Sequence, residues 1–177
     1  VEHIPEMIEA GIDSFKIEGR MKTALYVATV TRAYRQAIDD YQEDPKKYQS
    51  RLSWYREEIA KCTNREFTTG FYFGKPGSDA QIYDNNTYRK DYTYLGTIHE
   101  IDERGFGRIE QKNKFSVGET IELMRPDGSN IELCVKGIYD EEGNAVESAP
   151  HPRQILYVDL GIELKEYDIL RRSETES

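Results

Sequence analysis

The stretch Ser14-Phe15-Lys16-Ile17-Glu18-Gly19-Arg20-Met21-Lys22 decides how this 177-residue chain is read. Phe15 and Ile17 alternate with Ser14, Lys16 and Glu18, the period-two pattern of a half-buried strand. Gly19 then allows a sharp turn, and Thr23 can cap the helix that follows. Val27, Val30, Tyr34, Ile38 and Tyr41 recur at helical spacing and give that helix one apolar stripe. A strand that hands over to a helix through a cation-bearing turn is where an α/β barrel holds its functional groups. Lys16, Glu18, Arg20 and Lys22 therefore fall where such a barrel would meet an anionic substrate. The remaining strands of a barrel are missing before this corner, so the chain reads as the C-terminal part of a larger enzyme.

Outward from the corner, Pro5 to Ala10 reads as a short helix stopped by Gly11. Residues 1–43 form the strand–helix piece. Residues 44–90 form a helix and a linker. Asp44-Pro45 opens that helix, with Tyr48, Leu52, Tyr55 and Ile59 on one face and Trp54 beside it. Lys46, Lys47, Arg51, Arg56 and Lys61 line the rest. Such interleaving can suit nucleic acid, but more often marks an aromatic core under a solvated cationic face. The Gly- and aromatic-rich run from Thr68 to Gly77 reads as an extended linker. From Tyr92 the period switches to two, giving candidate strands at Tyr94–Ile101, Phe106–Gln111, Thr120–Met124, Ile131–Tyr139, Ile155–Leu160 and Tyr167–Arg171. Turn chemistry separates them at Glu103-Arg104-Gly105, Pro126-Asp127-Gly128 and Glu142-Gly143-Asn144. Residues 91–177 are thus predicted to close into a small antiparallel β-barrel. Phe115 to Glu122, with its Val117-Gly118-Glu119 corner, is similar to a turn in translation-factor barrels. The fold class is α+β: an N-terminal α/β fragment (the end of a TIM-like barrel), then a helix and linker, then the C-terminal β-barrel.

Charge limits which part can grip a polyanion. The net charge of -9 divides as -2 over residues 1–41, +2 over residues 42–90 and -9 over residues 91–177, counted from the sequence. Affinity for nucleic acid rests largely on Lys and Arg, so if RNA is the substrate, the middle segment and the missing barrel are the parts expected to hold it, not the acidic final half. No apolar run is long enough to span a membrane, and Val1 to Pro5 has neither the basic start nor the apolar core of a signal peptide. The absence of an initiator Met fits a fragment or a processed chain. Cys62 and Cys134 lack CxxC spacing and read as two reduced thiols of a cytoplasmic protein.

The same residues carry a family resemblance. Ile4 through Lys22, followed by Tyr26-Val27-Ala28 and Tyr34-Arg35, resembles the late barrel segment of the peptidase U32 family. Arg65-Glu66-Phe67-Thr68-Thr69-Gly70-Phe71-Tyr72-Phe73-Gly74 resembles the linker into that family's C-terminal region. Members often carry a His before that Arg; here Asn64 stands there. The family is described as collagenase-like proteases and also includes proteins that hydroxylate tRNA or ribosomal RNA. The resemblance implies that the cysteines binding an iron–sulfur cluster in the hydroxylating members lie upstream of Val1. Neither Cys62 nor Cys134 matches such a position. The chain is therefore expected to hold no cofactor and no metal itself, with an iron–sulfur cluster left to the full-length protein.

Two function classes follow. In one, the missing barrel hydroxylates tRNA or rRNA, or cleaves peptides as the family's name has it, while the β-barrel binds substrate or serves as scaffold. In the other, the chain is a non-catalytic module for RNA or a protein. Arg20 can grip a carboxylate or phosphate with two prongs, which Lys cannot, and Lys16, Lys22 and Arg65 are the further substrate-binding candidates. Arg65 equally suits anchoring the linker. Glu18 can orient Arg20, act as a general base if buried, or form a structural ion pair with it. No Ser/His/Asp or Cys/His arrangement, HExxH or Gly-flanked nucleophile is recognisable, and His3, His99 and His151 read as surface or packed residues. The partners implied are the missing barrel, RNA or peptide substrate, no membrane, and a second copy if the helical stripe is exposed.

Overall fold

The computed structural model describes residues 1–62, 68–75 and 92–174. Four helices open the chain: α1 (Ile4–Glu9), α2 (Ala24–Glu43), α3 (Pro45–Ser50) and α4 (Leu52–Ala60). Thr23 caps α2 as its sequence position predicts, its hydroxyl accepting from the Tyr26 N–H at 3.2 Å. Asp44 ends α2 and starts α3. It is held out of the helical region by the Pro45 ring, and its carboxylate accepts from the Lys46 N–H at 2.9 Å. The single helix expected after Asp44 is interrupted at Arg51, whose φ of -103° and ψ of 7° break the run into α3 and α4.

The face that α2 buries takes in most of its apolar stripe and adds small and polar residues beside it. Thr29, Arg32, Ala33, Ala37 and Asp40 are buried alongside Leu25 and Val30, while Val27 stays 40% exposed. Small Ala33 and Ala37 let neighbouring elements approach closely, with the larger stripe residues partly buried at their flank. Tyr34, Ile38 and Tyr41 pack with Ile4, Tyr48 and Tyr55 in the helical core. The first turns of α2 meet the sheet instead, with Leu25 against Met124 and Ile169. One helix thus forms a wall shared by both halves of the chain.

Eight strands follow: β1 (Tyr92–Ile101), β2 (Gly107–Glu110), β3 (Thr120–Met124), β4 (Asn130–Cys134), β5 (Gly137–Tyr139), β6 (Ala145–Val146), β7 (Ile155–Asp159) and β8 (Ile169–Ser173). They form one sheet in the order β4-β3-β8-β1-β2-β7-β5-β6. Strand β1 serves both halves, pairing with β8 through Tyr92–Thr97 and with β2 through Ile98–Ile101. Register shifts at Tyr94/Gly96 and Ile98/Glu100 accompany the change of partner, and such irregularities bend a strand. The predicted strand Ile131–Tyr139 is in fact two, divided where Val135 and Lys136 turn to opposite sides. The Val135 N–H donates to the Glu119 carbonyl beside β3, and the Lys136 N–H donates to the Asp159 carbonyl of β7. Gly118, at a φ of +84° that an L side chain resists, donates its N–H to the Val135 carbonyl at 2.8 Å.

That corner curls the sheet around Leu95, Ile98, Ile109, Phe115, Ile121, Leu123, Leu156 and Leu170, all at most 2% exposed. The ladder does not close, however: β4 and β6 stand at its two ends. The expected closed barrel is a curled, antiparallel half-barrel. The expected strand at Ser14–Glu18 is also corrected, since the segment lies outside any helix or strand and pairs with none of the described strands. An alternating pattern specifies a strand only where a ladder partner is available, and none lies alongside it among the described residues.

Helices and half-barrel are joined by charge. Glu58 of α4 is 1% exposed and sits between two guanidinium groups. Arg171 Nη2 reaches its Oε1 at 2.5 Å and Arg32 Nη2 at 3.0 Å. Arg171 Nε also donates to Glu122 of β3 at 2.5 Å. Asn130 Nδ2 donates to Glu58 Oε2 at 2.6 Å, while Asn130 Oδ1 accepts from Arg32 at 2.9 Å. Lys61 bridges Glu58 and Glu122 at the rim, at 3.3 and 3.4 Å. A second buried carboxylate, Asp40, knits α2 to α3 and α4 by accepting from Tyr55, Arg51 and Lys47.

Burial alone would push Glu58 up. The charges of Arg171, Arg32 and Lys61 outweigh it and hold the carboxyl below its ordinary 4.5. Its proton is therefore bound more weakly in the folded state. The stability it contributes is complete above about pH 4.5 and is lost as pH falls through the depressed folded value. Glu58→Gln is expected to lower unfolding stability at pH 7 by about 3 kcal/mol, the scale for breaking a buried pair, read from the urea midpoint. The same substitution should shrink the stability difference between neutral and acid pH. A midpoint shift well below this would mean that the cluster does not hold the two halves together.

Candidate functional site

The corner that opened the sequence reading is an exposed loop. Lys22 N–H donates to the Gly19 carbonyl at 2.9 Å and closes its turn. Gly19 is required by a close approach: a Cβ there would lie 2.6 Å from Val27 Cγ2. Arg20 N–H donates to Glu18 Oε1 at 2.9 Å, and Lys16 Nζ stands 4.0 Å from Glu18 Oε2. The side chains of Lys16 and Glu18 are 87% and 71% exposed, so no wall shields Glu18 from water. Glu18 contacts the Arg20 backbone and is not in the geometry of an ion pair with its guanidinium. Met21 beside them is 91% exposed.

Behind this loop a cleft of about 950 Å³ opens between the helices and the sheet. One wall is Met21 through Tyr26, the entry to α2; Lys61 and Cys62 continue it after α4. The other wall is the outward face of β1, carrying Tyr92, Tyr94, Thr97 and His99, with Glu110, Lys112 and Asn113 at its edge. Of the predicted binding residues, the structure brings Lys22 into the cleft and leaves Lys16, Glu18 and Arg20 outside its lining. Arg65 lies outside the described residues.

The cleft combines rings with cations. Lys22 Nζ lies 5.3 Å from the Tyr26 ring centroid. Lys61 Nζ lies 5.2 Å from that of Tyr92, whose ring Arg171 also approaches at 4.9 Å. The charge cluster that joins the two halves therefore reaches the cleft through Lys61 and, by way of Arg171, the Tyr92 ring. Tyr94 shares a 2.8 Å hydrogen bond with Thr97, and its carbonyl accepts from Asn113 Nδ2 at 2.7 Å. These contacts fix the strand's orientation toward the opening. Lys112 pairs with Glu110 at 2.6 Å. Burial raises the Cys62 thiol above its ordinary value, which leaves it a weak nucleophile at neutral pH.

Of the two readings that the cations and aromatics after Asp44 allow, the structure takes the one in which the aromatics pack as core. Tyr48 and Tyr55 are buried, and Arg51 covers Trp54 at 4.9 Å. The cleft's own signal was Tyr92 and Tyr94 alternating on one strand, but nothing in the sequence set them opposite Tyr26. Among the described residues no three His, Cys, Asp or Glu side chains gather as a metal site. Cys62 and Cys134 lie on separate elements and do not fit an iron–sulfur cluster, which takes several thiolates. Among the described residues no helix is long and apolar enough to cross a membrane.

Two family models match the chain: that of peptidase family U32 over residues 1–82, and that of the peptidase family U32 C-terminal domain over residues 90–171. The tRNA hydroxylation protein P1 of Bacillus subtilis is 37% identical over 98% of this chain and 41% of its own length. The tRNA hydroxylation protein P of Escherichia coli is 30% identical over 98% of this chain and 38% of its own length. A collagenase of Porphyromonas gingivalis is 32% identical over 71% of this chain and 35% of its own length. The chain thus spans about two fifths of the length of such relatives. Among solved structures, the C-terminal domain of a U32 peptidase from Geobacillus thermoleovorans is 28% identical, covering 45% of this chain and 99% of its own, with a TM-score of 0.42. Matched along nearly its whole length by the two models in succession, the chain belongs to peptidase family U32.

Proposed function

We propose that this chain is the C-terminal part of an enzyme that hydroxylates RNA, and that it supplies a substrate-binding module to a catalytic barrel elsewhere in the protein. The observation that carries this reading is the cleft, which sets Tyr26, Tyr92 and Tyr94 beside Lys22, Lys61 and Lys112. Rings and ammonium groups together match bases and phosphates. The names of the Bacillus and Escherichia relatives point the same way. The exposed corner from Ser14 to Lys22 serves as the rim of the catalytic barrel. Met21 within it and Ile12 just before it are uncovered surface that the rest of the protein would bury. Arg20 lies on that rim and binds an anionic group of the substrate, with Lys16 and Lys22 flanking it and Glu18 fixing the loop through the Arg20 N–H. An iron–sulfur cluster, if the enzyme uses one, is held by the rest of the protein. The Porphyromonas relative's name favours peptide cleavage as the competing reading.

Two measurements separate the readings. RNA from cells lacking the full-length protein should lose a hydroxylated nucleoside by mass spectrometry and regain it on complementation. The 177-residue chain alone should restore nothing and should leave gelatin intact. Gelatin cleavage by purified full-length protein, with RNA nucleosides unchanged in the deletion strain, would overturn the proposal. Within the full-length enzyme, Arg20→Ala is expected to raise KM for RNA about tenfold, the scale of one lost charged contact, without moving Tm. Unchanged kinetics would remove Arg20 from the site.

A further inference from the structure

We infer that the cleft between α2 and β1 holds an unpaired stretch of RNA, its bases against Tyr26, Tyr92 and Tyr94 and its phosphates at Lys22, Lys61 and Lys112. This rests on the reading that RNA is the substrate, and adds which form of RNA this chain grips and where.

The placement of the rings comes first. Tyr26 stands on the helical wall, Tyr92 and Tyr94 on the strand wall, and all three are half-buried within the cleft. Stacking on protein rings requires bases that have left a duplex, and it tolerates any base because each has a π face. An A-form duplex keeps its bases inside and shows proteins mainly its shallow minor groove and backbone. Rings recessed in a cleft would meet none of them. The cations come second. Lys22 and Lys61 each hover over one of these rings, at 5.3 and 5.2 Å from the centroids. A base stacking on such a ring would take the place of the ammonium group over it and bring its phosphate to that displaced cation. Size comes third. About 950 Å³ is at the top of the roughly 300–1,000 Å³ range of small-ligand pockets, which suits a short run of chain. Glu110 pairs with Lys112, and Glu58 and Glu122 pair with Lys61. These carboxylates limit the cleft's net charge, so binding leans on stacking more than on bulk electrostatics.

The test is fluorescence anisotropy of the 177-residue chain with a labelled oligouridylate of about 12 nucleotides, within the range for one single-strand site. The same strand annealed to oligoadenylate is the comparison. The single strand should bind at least about tenfold more tightly than the duplex, with a log–log salt slope near about -2 for three contacted phosphates. Tyr94→Leu, which keeps an apolar side chain against Leu25 and Met124, should weaken single-strand binding at least about fivefold with Tm unchanged. Tyr94→Phe should restore binding, and Tyr157→Leu, on a strand outside the cleft, should leave it intact. Equal affinity for duplex and single strand, or binding indifferent to both Tyr94→Leu and Tyr26→Leu, would overturn the inference. So would gelatin peptides that compete the oligonucleotide away. If the full-length protein hydroxylates RNA while Tyr94→Leu changes neither binding nor product, the RNA reading stands and the cleft assignment falls. If the cleft binds the single strand but no hydroxylated nucleoside depends on the protein, the assignment stands and the reading falls.

Discussion

A single buried carboxylate organises this chain. Glu58 would be costly to bury alone, since an isolated charge in a protein interior loses its hydration. It is compensated only if Arg32 from α2, Arg171 from β8 and Asn130 from β4 all reach it together. Those groups come from both halves of the molecule, so the cluster is satisfied only when helices and half-barrel are docked in one orientation. An apolar interface of similar area would tolerate sliding. A set of directed, charge-assisted hydrogen bonds does not.

The cleft follows from that docking. Neither wall contains it alone: the loop into α2 supplies Lys22, α2 supplies Tyr26, and β1 supplies Tyr92 and Tyr94, with the charge cluster docking the two walls. Lys61 and Tyr92 belong to both systems, since Lys61 touches Glu58 and Glu122 and lies near the Tyr92 ring that Arg171 also approaches. Structural and functional electrostatics are therefore continuous. A phosphate drawn to Lys61 would compete with two carboxylates, which favours ligands that also gain from stacking.

Local signals in the sequence were read well where one residue decides the geometry. Thr23 capping α2, Asp44-Pro45 dividing two helices, and the extent of β3 all rest on short-range chemistry. The strand at Ser14–Glu18 failed because alternation cannot say whether a ladder partner exists. The barrel-like curl was legible in the spacing of the strands, but not the division of Ile131–Tyr139 into two strands, because the pattern does not reveal that Val135 bonds toward β3 and Lys136 toward β7. Glu58, Arg32 and Arg171 were illegible for a deeper reason. Charged residues in an amphipathic pattern read as surface, and only the three-dimensional meeting of complementary partners from distant segments makes their burial tolerable. The cleft shares that property, which is why Lys22 was picked out by its corner while the tyrosines opposite it were not.

The central claim is that docking through Glu58 builds a two-walled site for unpaired RNA. Amide chemical-shift mapping of the isotopically labelled chain during titration with oligouridylate tests it most directly. The account predicts shifts at Met21–Tyr26 on one wall together with Tyr92–His99 and Lys112 on the other, all saturating along one binding curve. Shifts confined to the strands around Tyr139 and Tyr157, or to one wall without the other, would contradict it.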